Sequence, residues 1–444
     1  MSDAKEQSHD QNAETEITDI EDGVNERALL RKLDWRLLPA VGVLYLLSFL
    51  DRSNVGNARI EGMVSDLHMT GNQYLTGLTV YFIGYVLFEI PCNVILKKTS
   101  PRLWLPTLTI AWGVTESGLF PGVVFYLSMC AASLAGAFGG ILAYGIGKMA
   151  GVVWSNGWRW IFILEGIATV IVATIAYWFI ENYPDTAKFL TKPEREFIQT
   201  RLAADCDAMI KEEFTWSAVL EAVRDPNCWL YSLGFHTMSL PLYTLSLFLP
   251  TIISNLGYTA AKAQLLTIPP YALAFVTTVV VAIASEKLGK RAVFLAGSSL
   301  TAAIGYIILL ANTDPVARPG VSYLGTFFAA AGIYPSTALV LSWPAINVSG
   351  QTKRAIANAM QISIGNLGAV MGTQLYRSND GPRFVVGHSM ALAYLCANAI
   401  VATYIGWRLR AQNKAREEIA PEIQNVGEAL DWQGDKDPRW RFSS

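Results

Sequence analysis

The sequence has few charged residues. Asp, Glu, Lys and Arg make up 16% of its 444 residues and hydrophobic residues make up 52%, whereas a soluble chain carries about 25% charged residues. This deficit predicts that much of the protein surface faces lipid, and it excludes disordered and fibrous proteins. The formal net charge is −2, so no overall positive field would attract nucleic acid, and we expect no nucleic-acid partner.

Motifs for several kinds of chemistry are also absent. The five cysteines lie far apart along the chain, which excludes a disulfide framework and a cysteine-based metal site. The sequence contains no Gly-x-x-x-x-Gly-Lys-Ser/Thr, no His-Glu-x-x-His and no Gly-x-Ser-x-Gly. ATP-driven pumping and hydrolysis within the membrane therefore lack their motifs. We expect neither an enzyme nor a bound cofactor.

The sequence does contain a series of apolar runs, each close to the roughly 20 residues that cross a bilayer core. They fall at 37–58, 73–96 and 159–180 in the first half, and at 228–256, 264–285, 292–311, 321–346, 355–376 and 387–407 in the second. The pattern predicts an all-α membrane protein with two helical bundles, at 29–181 and 228–410. A disordered acidic tail at 1–28, a central loop at 182–227 and a tail at 411–444 are all expected to be cytoplasmic.

Basic residues predict the orientation, because short cytoplasmic loops collect Lys and Arg. If both termini are cytoplasmic, one side carries Arg31, Lys32, Arg36, Lys97, Lys98, Arg102, Lys287, Lys290, Arg291, Lys353, Arg354, Arg408, Arg410, Lys414 and Arg416. Arg377 and Arg383 on the opposite side are exceptions. We therefore expect a multi-pass membrane protein with both termini in the cytoplasm.

The first bundle is predicted to be shortened. Residue 103 is expected on the cytoplasmic side, because basic residues precede it. The basic central loop is expected on the same side, so the segment between them must cross the membrane an even number of times. Four crossings need roughly 80 residues, and residues 103–181 supply 79, which leaves none for three loops. With only two crossings, some apolar segments of this region would lie outside the membrane.

Four strings of residues resemble motifs of one transporter family. They are L-D-R-S-N-V-G-N-A at 50–58, G-x-x-E-S-G-x-x-P-G at 113–122, S-E-K-L-G-K-R at 285–291 and S-G-Q-T-K-R at 349–354. The sequence resembles the major facilitator superfamily, within it the anion:cation symporter family, and most closely the fungal allantoate and nicotinate permease branch. The resemblance runs from about Leu33 to Arg410.

This resemblance implies a major facilitator fold of nominally six plus six spans and proton-coupled symport of a small organic anion by alternating access. The substrate would be nicotinate, allantoate or a similar carboxylate, and the protein a monomer in the plasma membrane. Relatives carry additional residues between Trp112 and Gly113 and after Met129, where this chain continues directly into Cys130 and Ala131. These internal deletions leave two alternatives open, a transport-dead isoform and a non-transporting nutrient sensor of the same fold.

Ionisable residues at membrane depth are candidates for function because their insertion costs roughly 2.5–3.5 kcal/mol. The resemblance implies that Arg52 holds the substrate carboxylate, and the alternative is that it pairs with Asp51 or reaches the interface. Glu116, Glu89 and Asp51 are the candidates for proton coupling, since burial raises the proton affinity of a carboxylate. For each of them the alternative is a structural hydrogen bond.

Neutral polar and aromatic residues predict a polar lumen in the second half. The substrate-binding set comprises Asn54, Tyr243, Tyr271, Tyr334, Asn358, Gln361 and Asn366 in addition to Arg52, and Gln374 also falls inside a span. For any one of these residues, hydrogen bonding between helices is the simpler interpretation. A gating turn is predicted at Glu286, Lys287, Gly289, Lys290 and Arg291, for which plain topology is the alternative.

Overall fold

The computed structural model describes residues 25–98, 102–103, 106–107, 109, 139–146, 157–180, 187, 189–198, 215–425 and 434–444. Within these ranges the chain is helical and contains no strand, as the all-α prediction requires. Glu116 and the two junctions, Trp112/Gly113 and Cys130/Ala131, lie outside the described residues.

In its described part, the first half contributes three long helices, α1 (Glu26–Ala58), α2 (Gly71–Lys98) and α3 (Trp158–Phe179). The side chain of Asn25 caps α1 by accepting a hydrogen bond from the N–H of Ala28. At its other end α1 continues into a π-helical turn, Arg59–Met63. Shorter helical pieces occupy 139–146 and 192–198.

The second half contributes a surface helix and six long helices. The surface helix is α4 (Trp216–Arg224), and the long helices are α5 (Pro226–Ser254), α6 (Ala260–Leu288), α7 (Arg291–Ala311), α8 (Pro319–Asn347), α9 (Gln351–Thr373) and α10 (Val385–Asn425). Each long helix corresponds to one predicted apolar run. Asp225 caps α5 by accepting from the N–H of Asn227, and Pro226 supplies the fixed φ that suits a first helical turn.

Six of the described helices are long and apolar enough to cross a membrane, namely α3, α5, α6, α7, α8 and α10. The apolar windows of α5 and α8 are mostly buried within the protein, whereas most residues in the windows of the other four are half-buried or exposed. Exposed apolar side chains such as Val280 and Ile304 cover their outer faces. Such a surface requires lipid contact, because a soluble protein rarely exposes contiguous apolar area of this extent.

Helix α5 lies at the centre of the second bundle and packs against α1, α8, α9 and α10. In the first half, α1 packs on α3, and α2 packs across the boundary onto α9. The two halves therefore meet along two helix pairs, α1 with α5 and α2 with α9.

Residues 434–444, which we call the terminal strap, lie across the ends of α8 and α10. Asn347 of α8 exchanges two hydrogen bonds with the backbone of Ser443, at 3.0 and 2.7 Å. Asn413 of α10 exchanges two with the backbone of Phe442, both at 2.8 Å. The strap thus closes one end of the second bundle.

An ion cluster centred on Lys353 lies beneath the strap. Lys353 is 4% exposed, and its Nζ lies 2.7 Å from Asp435, 3.0 Å from Asp225 and 3.4 Å from Glu221. These carboxylates belong to the strap, the α4–α5 junction and α4 respectively. The cluster therefore joins three separate segments to the start of α9.

Candidate functional site

The two halves are closed against each other at one end. This end holds the last turns of α1, α5 and α9 and the first turns of α2 and α6, and it is opposite the end that carries residue 25. Gln374 Nε2 donates to Thr79 Oγ1 at 2.6 Å, and Thr79 Oγ1 lies 2.8 Å from Thr373 Oγ1. Gln264 Nε2 donates to Glu61 Oε1 at 3.0 Å. These contacts join the first half directly to the second.

Glycine permits the close approach of α1 and α5. A Cβ at Gly56 would collide with the backbone carbonyl oxygen of Leu247. A Cβ at Gly140 would stand 2.6 Å from the carbonyl oxygen of Gln264 and 2.6 Å from Thr267 Oγ1 of α6. Small residues at these positions allow the backbones of the two halves to touch, as is usual between membrane helices.

We expect Gly56→Val to weaken closure at this end, because overpacking a tight contact costs about 1–3 kcal/mol. The readout is disulfide formation in membranes between cysteines that replace Thr79 and Thr373, and its rate should fall about tenfold. Gly77→Val is the matched control, since a Cβ at Gly77 meets nothing within 4 Å. An unchanged rate in the Gly56 variant would contradict the assignment.

Arg59 occupies the boundary at the closed end. Its guanidinium lies 4.6 Å from the ring centroid of Tyr74 in the first half and 5.7 Å from that of Phe248 in the second. Arg59 Nη2 also donates to Ser378 Oγ at 3.2 Å. One cation therefore bridges the halves through two rings and one hydroxyl.

A buried carboxylate lies between α1 and α3. Glu165 is 5% exposed, and its Oε1 accepts a hydrogen bond from Asn54 Nδ2. Asn54 Oδ1 accepts in turn from Asn57 Nδ2 at 2.7 Å. A Cβ at Gly139 would stand 3.0 Å from Asn54 Oδ1, so the helical segment 139–146 passes directly against this group. A carboxylate at such a position is a candidate for function by default.

The sequence patterns select Asn54 but not Glu165. One signal could have found it, because Glu165 is the single acidic residue in the apolar run 159–180. His388 was also missed. It is 2% exposed, its Nδ1 lies 3.1 Å from the hydroxyl of Tyr376, and its ring lies beside Tyr306.

The predicted aromatic residues of the second half are buried in two separate groups. The rings of Tyr271 and Tyr334 meet edge-on, with centroids 5.7 Å apart. Tyr243 instead contacts Phe82 of α2 across the boundary between the halves, with centroids 4.6 Å apart. The structure thus brings Tyr243 to the junction and places Tyr271 with Tyr334 between α6 and α8.

The predicted amides of α9 differ in their surroundings. Gln361 is fully buried and its Nε2 donates to the carbonyl oxygens of Val340, at 2.8 Å, and Tyr231, at 3.4 Å. Gln361 therefore ties α9 to α8 and α5. Within the described residues, the buried Oδ1 atoms of Asn358 and Asn366, like Oε1 of Gln361, have no hydrogen-bond partner. A buried acceptor without a partner is a place for a donor on a ligand or an ordered water.

The predicted gating turn is mostly solvent-facing. Glu286, Lys287, Gly289 and Lys290 are exposed, and Gly289 ends α6 with φ +61°. Arg291 is buried, and its Nη1 donates to Ser342 Oγ of α8 at 3.1 Å. Of the five residues predicted for this turn, the structure therefore places only Arg291 inside the bundle.

The remaining candidates are only partly described. Asp51 and Arg52 lie in α1 and Glu89 in α2, while their side chains, like the whole of Glu116, lie outside the described residues. In the part of the chain that the structure describes, no three His, Cys, Asp or Glu side chains come together as a metal ion requires.

Comparison with known proteins decides the family. The family model of the Major Facilitator Superfamily matches residues 127–373. The chain belongs to this superfamily. It is accordingly an integral membrane protein, membrane transport is its function class, and the predicted major facilitator fold is confirmed.

Superfamily members in fungi are similar over nearly the whole chain. The MFS-type transporter cnsO of Penicillium expansum is 33% identical, with 96% of this chain and 92% of the relative covered. The high-affinity nicotinic acid transporter of Saccharomyces cerevisiae is 30% identical, with 94% of this chain and 85% of the relative covered. Among solved structures, a D-xylose-proton symporter has a TM-score of 0.56 at 15% identity, with 83% of this chain and 97% of that chain covered.

Proposed function

We propose that this superfamily member is a proton-coupled symporter of a small organic anion, such as nicotinate or allantoate, that works by alternating access. The observation that carries the proposal is the buried pair of Glu165 and Asn54. An ionisable side chain enclosed between membrane helices is a candidate for function by default, and a carboxylate that water reaches in only one of two conformations can bind a proton on one side of the membrane and release it on the other. Glu165 thus joins Glu116, Glu89 and Asp51 as a candidate for coupling.

Substrate recognition would use both halves. Arg52 of α1 would hold the substrate carboxylate through the paired N–H groups of a guanidinium. The buried amide oxygens of Asn358 and Asn366, which lack partners within the described residues, would accept hydrogen bonds from N–H groups of the substrate. A ureido acid carries such donors. The similarity to a fungal nicotinic acid transporter supports an organic anion as the cargo.

The conformation supports alternating access. The halves are in contact at the end that holds Thr79 and Gln374, and transport requires this end to open while the opposite end closes. With both termini in the cytoplasm, as the basic loops predict, the closed end faces outward. We further propose the plasma membrane as the location and a monomer as the working unit.

The shortened first bundle remains part of the proposal. The alignment with the Penicillium expansum relative extends over 477 residues, more than the 444 of this chain. The relative therefore carries residues that this chain lacks, which supports the predicted deletions. A chain shortened in this way could occupy the membrane without transporting, as a transport-dead isoform or a nutrient sensor.

Uptake into proteoliposomes tests the proposal. Vesicles that contain the full chain should accumulate radiolabelled nicotinate or allantoate under an inward proton gradient, and a protonophore should abolish the accumulation. Empty vesicles provide the background. A second protein, with the relative's additional segments inserted after Trp112 and Cys130, separates the alternatives. If only the protein with the inserted segments takes up substrate, the present chain is transport-dead. If neither that protein nor the present chain takes up substrate, the proposal is wrong.

A further inference from the structure

A groove runs along the outer surface of the second bundle where α4, α5, α9 and α10 come together. It has a volume of about 720 Å³. Its walls within the membrane-spanning part are mostly apolar or aromatic, formed by Trp229, Leu230, Leu233, Ile364, Leu367 and Tyr404. His236 also lines the groove, and its Nδ1 lies 3.1 Å from the backbone carbonyl oxygen of Ile364. Trp229, Leu233, Leu367 and Tyr404 are each between 43% and 50% exposed. On a membrane helix, such half-exposed side chains face lipid.

Two arginines close the groove at the end nearest the terminal strap. Arg224 and Arg408 line this groove and also an adjoining polar cavity of about 530 Å³. Arg224 is exposed and has no ion-pair partner within the described residues. Arg408 donates from Nε to Asn227 Oδ1 at 3.0 Å, and its two Nη atoms make no hydrogen bond in the described part of the chain. The guanidinium of Arg224 and the two Nη atoms of Arg408 are therefore available to bind an anion.

The surrounding acidic residues do not neutralise these arginines. The carboxylates of Glu221, Asp225 and Asp435 line the adjoining cavity. Lys353 contacts all three, and Lys436 contacts Glu221 at 2.8 Å.

Arg416, the fifth cation, donates to the backbone carbonyls of Asp435 and Trp440. Five cationic side chains, Arg224, Arg408, Arg416, Lys353 and Lys436, thus face three carboxylates. Lys353 and Lys436 thus hold the three carboxylates, and neither Arg224 nor Arg408 forms an ion pair within the described residues.

We propose that this groove binds an anionic phospholipid. The phosphate-containing head group would lie between Arg224 and Arg408, and one acyl chain would follow Leu233 and Leu367 along the bundle. Only a ligand with both an anionic head group and an apolar chain can contact both parts of this groove. A free anion would not contact the apolar wall, and an uncharged lipid would not pair with the arginines. Trp229 and Tyr404 lie at the level where aromatic side chains favour the head-group region. Basic clusters at the ends of membrane helices are suited to anionic lipids.

Equilibrium binding to the purified full chain in non-ionic detergent tests this proposal. The probes are dioctanoyl phosphatidylserine, dioctanoyl phosphatidylcholine and inorganic phosphate. We expect phosphatidylserine to bind well above both others and to raise the thermal unfolding midpoint. Each basic side chain near an anionic head group contributes about fivefold in affinity, so Arg224→Gln with Arg408→Gln should weaken phosphatidylserine binding by about 25-fold.

Two further variants test whether binding depends on these particular arginines and on the apolar wall. Arg377→Gln with Arg383→Gln removes the same charge from exposed positions in the loop between α9 and α10, at the opposite end of the bundle, and should leave binding unchanged. Leu233→Trp fills the apolar groove while both arginines remain, and should weaken binding of the lipid. Equal binding of phosphatidylcholine or of inorganic phosphate would overturn the proposal, as would full affinity in either the double Arg224/Arg408 variant or Leu233→Trp.

Discussion

Replacement of Lys353 by methionine is expected to lower the thermal unfolding midpoint of the purified protein by about 10 °C. Removing one partner from a buried ion pair costs about 3–5 kcal/mol, and each kcal/mol shifts the midpoint of a domain of this size by about 2–4 °C. Lys353 is 4% exposed and lies within 3.0 Å of both Asp435 and Asp225. Its loss would leave two carboxylates close together with no cation between them.

The decrease in the unfolding midpoint caused by Lys353→Met should be smaller at acidic pH. Burial already raises the pKa of Asp435 above its usual value, although Lys353 opposes the shift. A carboxyl whose folded pKa is raised contributes stability that is present at low pH and lost as the pH rises through that pKa. Without Lys353 the penalty on the charged form grows, so the difference from the parent protein should narrow between pH 7.5 and pH 5.

Lys414→Met is the matched control for this experiment. Lys414 is exposed on α10, and its replacement should change the midpoint by no more than a degree or two, because exposed charges contribute little. Asp435→Asn should fall between the two variants, since Lys353 keeps Asp225 and Glu221 as partners. Equal midpoints for Lys353→Met and Lys414→Met would show that the cluster does not stabilise the fold.

Glu165→Gln is expected to reduce proton-driven accumulation of substrate at least tenfold while exchange of substrate across the membrane continues. A glutamine has the shape of the protonated glutamate and keeps an oxygen that accepts from Asn54 Nδ2, so the packing between α1 and α3 should survive. What it loses is the ability to release a proton. Transport should therefore no longer depend on the proton gradient.

The measurement compares uphill uptake under an inward proton gradient with counterflow of labelled substrate at equal pH on both sides. Glu417→Gln is the control, because Glu417 is exposed on α10 and undergoes the same chemical change. If Glu165→Gln accumulates substrate as the parent does, Glu165 is a structural hydrogen-bonding residue. Loss of counterflow together with accumulation would instead indicate a damaged cavity.

The helices of the second half could be predicted because their signal is local. Each apolar run has the length of a membrane crossing, and polar loops separate one run from the next, so the positions of α5 to α8 and of α10 follow from hydropathy. Helix α9 is less apolar than these five, and its position follows from the spacing of its neighbours as well. The same reasoning could select Asn54, Asn358 and Asn366, since a polar side chain inside such a run is conspicuous.

The roles of these residues depend on contacts between distant positions, which hydropathy does not contain. Gln361 has the same appearance in the sequence as Asn366, yet its amide joins α9 to α8 and α5. The sequence pattern selects Lys353 only as one of the basic residues that predict the orientation, because its partner Asp435 lies in a polar segment 82 residues further along the chain. Sequence patterns predict which side chains are unusual, and packing decides what each one binds.

The contacts around Arg59 have a thermodynamic consequence for turnover. The polar groups at this end, namely the guanidinium, the Gln374 amide and the threonine hydroxyls, are well hydrated once separated, so each of their contacts is worth only about 0.5–1.5 kcal/mol net. Separation at this end therefore requires a few kcal/mol in total. A substrate that binds one arrangement of the halves more tightly than the other by that amount is sufficient to shift the equilibrium between the two conformations.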